Sequence, residues 1–338
     1  MTDELADGYD VVVVGGGAAG LNGALMLARS RRSVLVIDAG APRNAPAAGV
    51  HGLLGREGMA PSELLERGRA EVRGYGGQVV PGEVIAVTRD ETDFAVRLAS
   101  GRTVRARRLL VTTGLTDELP EIPGLRARWG RDVVHCPYCH GWEVRDHAIG
   151  VLASGPMSVH QALLFRQLGD DVVFLAHTTP PPGDEEAEQL AARRIRVVTG
   201  EVASVEIADD RITGVRLTDG TIVPRTALVV APRMMARAGF LAGIGLRPQP
   251  HPAGEHIPAD PAGRTDVPGV WVAGNVTDPA AQVGTSAAAG ALAAAHINAD
   301  LVAEEARAAV AAQAAPAFSA ADEARLTELV LGDRRHGM

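Results

Sequence analysis

The chain has 338 residues, a formal net charge of −8, 46% hydrophobic residues and 22% charged residues. This length exceeds what one hydrophobic core normally serves, so we expect two domains of a soluble globular protein. The negative charge argues against a nucleic-acid surface. Because the sequence contains no lysine, Schiff-base chemistry and a P-loop lysine are excluded. The N-terminal segment lacks a secretory pattern and the alanine-rich run after Ser286 is interrupted by polar residues, so we expect a cytoplasmic protein without a membrane span.

The first predicted elements form a nucleotide-binding unit. Residues 9–14 are a β-branched apolar run, a helix is expected over about 18–30, and a second apolar run over 33–37 ends at Asp38. Three glycines before the helix have the G-x-G-x-x-G spacing: Gly15, Gly17 and Gly20. Such glycines permit a tight turn, close approach of the backbone to a pyrophosphate and close helix–strand packing, while Asp38 can hold a ribose hydroxyl pair. The unit predicts dinucleotide binding without deciding between FAD and NAD.

A second unit of this type is expected from residue 148. Apolar runs over 148–152 and 172–176 flank a helical pattern over 159–168. Residues 195–231 then alternate short apolar runs with turn residues, which predicts a small antiparallel layer. The chain is expected to leave this domain around residues 236–246.

The far end of the chain favours FAD. A strand over residues 270–273 is followed by Gly274 and Asn275, which could contact the ribityl and pyrophosphate groups of a flavin dinucleotide. Gln282 and Val283, before a long helix expected from about residue 286, would lie near the isoalloxazine ring. An ordinary strand–turn–helix is the alternative for this region. Beyond residue 307 we expect one more amphipathic helix, capped at Ser319.

These patterns together predict an α/β fold with two Rossmann-like nucleotide-binding domains. The FAD-binding domain is expected to be discontinuous, over residues 1–117 and 244–338. An inserted NAD(P)-binding-like domain is expected over residues 118–243, and it carries the two cysteines of the chain.

Those cysteines, Cys136 and Cys139, are spaced so that they can close a small disulfide ring. In a reducing compartment such a pair is expected to be catalytic or metal-binding. If the pair opens a helix, Pro137 suits its first position and the helix dipole would stabilise a thiolate. His135 and His140 flank the pair, and either could transfer protons near neutral pH. Half of a zinc site and a pair of inert thiols are the alternatives, although no second C-x-x-C exists, and His140 could instead be a packing residue.

Several motifs together resemble the low-molecular-weight thioredoxin reductase family over about residues 9–302: the glycine turn at 14–20, Asp38, the strand end Thr112-Thr113-Gly114, the C-x-x-C in the second nucleotide-type domain, and Ala273-Gly274-Asn275 with Gln282. The stretch 136–143, Cys-Pro-Tyr-Cys-His-Gly-Trp-Glu, resembles more closely the thioredoxin-reductase-like, FAD-dependent dithiol oxidases that close disulfides in natural products such as gliotoxin and holomycin. In the reductases an acidic residue usually follows the second cysteine, where this chain has His140. The resemblance implies a homodimer and further FAD contacts from several residues: Ala18, Ala19, Ala39, Arg43, Asn44, His51, Val84, Thr113 and Gly114.

Two departures from the reductase pattern concern the second unit. Its loop reads Ala-Ser-Gly-Pro-Met-Ser over 153–158, with the first glycine missing and a proline inserted, and no arginine follows the next strand at 177–180. The 2′-phosphate of NADPH would then lack its bidentate partner, so NADPH is expected to bind poorly. A third departure is Asn275, where the reductases commonly have Asp.

The resemblance implies oxidation of a small-molecule dithiol to a disulfide. A substrate thiolate would attack Cys136 and expel Cys139, the reduced cysteine pair would pass its electrons to the flavin, and O₂ would accept them as H₂O₂. His140 would be the general base. Tyr138 and Trp142 could line the substrate cleft or simply pack. The alternatives are a disulfide reductase that uses NADPH or another donor, and a flavin- or zinc-binding protein without turnover.

Overall fold

The computed structural model describes residues 5–90, 93–314 and 319–332. The chain forms two compact units, residues 1–295 and 296–338. In chain order the strands are β1 Gly8–Val14, β2 Val34–Asp38, β3 Gln78–Pro81, β4 Val84–Asp90, β5 Asp93–Leu98, β6 Thr103–Val111, β7 Leu115–Glu118, β8 Val133–Val134, β9 Ile149–Leu152, β10 Val172–Leu175, β11 Arg196–Val198, β12 Val202–Ala208, β13 Arg211–Leu217, β14 Ile222–Pro224, β15 Ala227–Val230, β16 Arg233–Ala236, β17 Gln249–His251, β18 Gly254–His256 and β19 Val270–Val272. The α-helices are α1 Ala18–Arg29, α2 Pro61–Gly74, α3 Pro137–His140, α4 Ser158–Phe165, α5 Asp184–Ala192, α6 Val283–Ala314 and α7 Ala320–Gly332.

Two sheets built on parallel strands form the frame of the first unit. The larger has the order β3-β2-β1-β6-β5-β4, with β19 also paired to β6. Its strands β1, β2, β3 and β19 run parallel to their neighbours, whereas β4, β5 and β6 form an antiparallel meander. The second sheet has the order β11-β10-β9-β15-β8 and is parallel throughout. This is the predicted α/β class with two Rossmann-like folds.

The second sheet is buried on both faces. Along β15, Ala227 and Val229 pack into one apolar core, while Leu228 and Val230 pack into another on the opposite face. Successive side chains of a strand point to opposite faces, so a four-residue apolar run serves both cores. The run is therefore typical of a central parallel strand.

Two antiparallel strands carry the chain between the sheets. β7 pairs with β16, with Leu115 opposite Ala236 and Glu118 opposite Arg233. The hairpin of β17 and β18 extends this ribbon, because β18 pairs with β16. The first crossing thus lies at 115–118, and the second lies at 233–236, slightly before the segment expected over residues 236–246. The domain limits at 117/118 and 243/244 stay a proposal.

Some elements differ from the sequence predictions. The antiparallel layer expected over residues 195–231 consists only of β12, β13 and β14. β11 and β15, at the ends of that range, join the parallel sheet, since their apolar runs pair with β10 and β9. α6 begins at Val283, three residues before the expected start, so Val283 is its first residue.

The second unit contains the C-terminal part of α6 and the helix α7. Ser319 caps α7 as predicted: its hydroxyl accepts from the Asp322 amide at 3.1 Å, and the Asp322 carboxylate accepts from Ser319. Within residues 5–90, 93–314 and 319–332, no helix combines the length and hydropathy that crossing a membrane requires.

Candidate active site

The first glycine turn is shaped to receive a ligand. Gly15 has a φ of 105°, and a Cβ on Gly20 would overlap the carbonyl oxygen of Gly15. Both positions therefore need glycine for the backbone itself. A Cβ on Gly17, by contrast, would meet no protein atom within 4 Å, so Gly17 faces open space.

That open space lies at the N-terminus of α1. Gly17 is the N-cap residue of this helix, and no side chain caps the first-turn amides. Uncapped amides and the positive end of the helix dipole form an anion-binding site. The turn therefore fits the pyrophosphate of a dinucleotide.

Asp38 lies beside the same turn, at the carboxyl end of β2. A Cβ on Gly16 would come within 2.8 Å of the Asp38 side chain, so that carboxylate packs against the fingerprint backbone. One of its oxygens also lies 3.2 Å from the guanidinium of Arg69 on α2. The Asp38 carboxylate is thus fixed beside the fingerprint turn by Arg69.

All the predicted site residues except Gly20 line one cleft of about 1790 Å³. This volume exceeds the roughly 300–1,000 Å³ of a pocket for a drug-sized ligand, so a dinucleotide and a substrate have room together. The cleft is lined by Gly15, Gly17, Ala18, Ala19, Asp38, Ala39, Arg43, Asn44, His51, Val84, Thr113, Gly114, Cys136, Cys139, His140, Gly274, Asn275, Gln282 and Val283. Gly20 does not line it, because Gly20 packs beneath the turn. Tyr138 lines the cleft, whereas Trp142 lies under the Arg145 guanidinium, 4.1 Å from it.

Cys136 and Cys139 form a disulfide at the start of α3, with their Cα atoms 5.2 Å apart. Cys136 is the N-cap residue, Pro137 holds the first helical position, and the Cys139 amide donates to Cys136 Sγ at 3.1 Å. The pair does open a helix, but α3 has only four residues. A helix this short adds little dipole, so the single amide is the local group that stabilises charge on Cys136 Sγ.

His135 is held by its surroundings. Gln161 Nε2 donates to the His135 carbonyl at 2.7 Å and lies 3.3 Å from its Nδ1. Burial lowers the pKa of His135, and the Arg43 charge lowers it further. Gln161 thus holds the backbone before Cys136, and the neutral His135 ring beside it already has a neighbour, which makes His135 a poor candidate for a proton carrier.

His140 is different, because its Nε2 is buried and, within the described part of the chain, has no hydrogen-bond partner. Burial lowers the pKa of His140; Glu143 partly offsets the effect and His51 adds to it. The imidazole is therefore neutral at pH 7, with a nitrogen able to accept a proton. Of the two histidines that flank the disulfide, this one has the properties of a general base.

Arg43 and Asn275 line the cleft, but the Arg43 charge and the Asn275 side-chain donors already have partners within the protein. Arg43 makes a two-pronged ion pair with Asp117, at 2.8 and 2.9 Å. The Asn275 side-chain amide donates to the carbonyls of Asp278, Pro279 and Ala281. Both residues shape the wall of the cleft, and Asn275 could contact a ligand through its amide oxygen only.

The second glycine-containing turn is closed by its own serine. The Ser158 hydroxyl accepts from the amides of Ser154 and Gly155, at 3.1 and 3.2 Å, and donates to the Gly155 carbonyl. Ser158 is 2% exposed. The amides that would face a pyrophosphate in this unit are thus satisfied internally, in contrast to the first turn.

Sequence reasoning missed several residues that hold the predicted site residues in place. Asp117, Arg69, Ser158 and Gln161 each hold a predicted site residue or turn, as described above. Their partners are distant in the chain or depend on a loop conformation, so no local pattern identifies them. Among the residues that the structure describes, no group of three or more histidine, cysteine, aspartate or glutamate side chains is placed to hold a metal ion.

A fingerprint turn that fits a dinucleotide and a disulfide in the same cleft define the class of dinucleotide-dependent disulfide oxidoreductases. The sequence comparison agrees: the chain belongs to the pyridine nucleotide-disulphide oxidoreductase family, whose profile matches residues 9–310. The predicted enzyme class and the thioredoxin-reductase-like resemblance are confirmed. FAD is the cofactor of this family, and the glycine turn, Asp38 and the large cleft fit it.

Known proteins similar to this chain include both structures and sequences. The crystal structure of HlmI has a TM-score of 0.86 and 49% identity, over 91% of this chain and 96% of that chain. An oxidoreductase from Agrobacterium tumefaciens has a TM-score of 0.82 and 35% identity, over 87% and 98% of the two chains. Thioredoxin reductase tcpT from Claviceps purpurea is 31% identical over 79% of this chain and 86% of its own length.

Proposed function

We propose that this flavoprotein oxidises a small-molecule dithiol to a disulfide, with O₂ as electron acceptor and H₂O₂ as product. The observation that supports this most directly is the Cys136–Cys139 disulfide in the cleft that also contains the dinucleotide turn. A second support is the stretch 136–143, which resembles the dithiol oxidases of gliotoxin and holomycin formation.

The disulfide supplies the exchange chemistry. A substrate thiolate attacks Cys136 Sγ, and Cys139 leaves as a thiolate, so a mixed disulfide forms. The second substrate thiolate then attacks the substrate sulfur of this mixed disulfide, closes the product disulfide and releases Cys136. The amide that donates to Cys136 Sγ stabilises the thiolate released in this second step.

His140 takes up the protons. The two substrate thiols lose their protons one after the other, and the neutral His140 Nε2 can accept each in turn, releasing the first to solvent before it takes the second. Bound FAD would accept the electron pair of the reduced cysteines and pass it to O₂. We propose that the predicted cleft residues hold it, with the α1 amides and Gly17 at the pyrophosphate and Asp38 at the ribose.

The second candidate is a disulfide reductase that takes electrons from NADPH or another donor. The name thioredoxin reductase, carried by the relative tcpT, favours it. The Ser158-closed turn opposes NADPH as the donor, because its amides are engaged. No arginine follows β10 at 177–180 to bind a 2′-phosphate.

Anaerobic mixing separates the two candidates. We expect dithiothreitol to bleach the yellow holoenzyme, NADPH to leave it yellow, and air to restore the colour with one H₂O₂ per disulfide formed. In a Cys139→Ser variant the dithiol should no longer bleach the flavin, although FAD stays bound. Rapid bleaching by NADPH would establish the reductase instead.

A further inference from the structure

We infer that His51 and Glu143 are positioning residues that set the protonation of His140 and connect it to solvent. This inference rests on the proposed function, in which His140 is the base. It names a group of residues that the cysteine motif alone does not identify.

The group is a string of alternating carboxylates and imidazole. His51 Nδ1 lies 2.5 Å from Glu57 Oε1, and His51 Nε2 lies 3.4 Å from Glu143 Oε1. Both ring nitrogens of His51 thus face carboxylates. His51 and His140 line the same cleft, and Glu143 follows His140 by three residues.

A short loop of the first Rossmann-like fold holds His51 in place. The backbones of Val50 and Met59 pair across the loop, with the Val50 amide donating to the Met59 carbonyl at 2.8 Å. Glu57 is fixed by the Gly52 amide at 2.9 Å as well as by His51. The His51 imidazole therefore has one fixed partner on its own loop, Glu57, and its other nitrogen faces Glu143.

The two carboxylates of the string are its exposed members. The side chains of Glu57 and Glu143 are 66% and 41% exposed, that of His51 is 23% exposed, and His140 Nε2 is buried. A proton that the buried His140 Nε2 takes from a substrate thiol needs a route to water. Glu143, three residues after His140 and 41% exposed, is the carboxylate through which we expect that proton to leave.

The two neighbours of His140 act on it in opposite directions. The Glu143 carboxylate raises the pKa of His140, whereas a positive charge on the His51 ring lowers it. Burial, the third influence, is the same in variants that keep the fold. Removal of the two side chains should therefore shift the pKa of His140 in opposite directions. General damage to the site would not produce this result.

The test is the pH dependence of kcat/KM for dithiothreitol oxidation by the holoenzyme, whose acidic limb reports the base of the free enzyme. With Glu143→Gln we expect this limb to move to lower pH, and with His51→Gln to higher pH, each by roughly 0.5 to 1 unit. Glu63→Gln is the matched control, since Glu63 is an exposed carboxylate paired with Arg67 on α2. Its limb should not move.

Titration of the His140 ring by NMR, in oxidised histidine-labelled holoenzyme, gives the same shifts without turnover. A wild-type enzyme that dithiothreitol cannot reduce overturns the proposed function and this inference with it. A reactive wild type whose limb and ring titration are unmoved in both variants, or move in the same direction, overturns the inference alone.

Discussion

At the scale of single residues, the cleft contains two histidines beside one disulfide, and their surroundings separate their roles. His135 is engaged by Gln161, whereas His140 Nε2 is buried without a partner among the described residues. Sequence alone left both open, because adjacency to a cysteine does not determine which ring is already bonded.

We expect His140→Gln to lower kcat/KM for a dithiol at pH 7 by about 10²-fold or more, the range lost with a general base. The loss should shrink as pH rises towards 9, because the substrate thiols then ionise unaided. Stopped-flow bleaching of the flavin across this pH range measures both. His147→Gln, an exposed histidine of the same segment outside the cleft lining, is the control. An equal loss at all pH values would contradict the role as base.

Contacts between distant residues set the limit of prediction at this scale. Arg43 was expected to contact FAD, and its residue type and position gave no sign of its ion pair with Asp117, 74 residues away in the chain. Ser158 likewise looks like an ordinary residue at a helix start. Only the folded turn shows that its hydroxyl takes the amides that a phosphate would need.

At the scale of elements, the sequence predicted correctly those strands and helices whose structure depends on one local segment. β1, the glycine turn and α1 follow from a β-branched run and three glycines, and they lie within a residue of the prediction. β15 was assigned to the wrong layer, because strand partners are chosen by sheet topology and not by the run itself. Periodicity thus identifies elements better than it identifies their neighbours.

The glycine turn gives a matched pair of variants. Gly20→Ala should destabilise the apoprotein by several kcal/mol, about what overpacking or strain against backbone costs, because the new Cβ overlaps the Gly15 carbonyl. Gly17→Ala should leave apoprotein stability within about 1 kcal/mol and weaken FAD binding, since its Cβ enters open space at the helix N-terminus.

Urea unfolding of the apoproteins and flavin fluorescence titration separate the two effects. If Gly17→Ala bound FAD as tightly as the wild type, the pyrophosphate would not lie at this turn. If Gly20→Ala were as stable as the wild type, the backbones of Gly15 and Gly20 would not be in close contact.

At the scale of the whole molecule, the two nucleotide-type turns predict that FAD stabilises the apoprotein and NADPH does not. FAD at about 100 times its Kd should stabilise the apoprotein by about 2.7 kcal/mol. NADPH at the same concentration should add nothing, because the second turn is closed by Ser158 and lacks an arginine partner. Thermal unfolding of apoprotein with each ligand is the measurement. Stabilisation by NADPH on top of saturating FAD would show a competent second site.

The ribbon of β7 and β16 has a consequence for how the protein could have been assembled. Leu115 and Ala236 are paired across this ribbon, so the segment between them, which carries both cysteines, begins and ends at neighbouring positions. A stretch with adjoining ends can be exchanged as a cassette without displacing the fold that hosts it. A segment with different thiol chemistry can then replace this one while the flavin-binding part of the chain stays unchanged. The connection between the two parts lies in the paired strands β7 and β16.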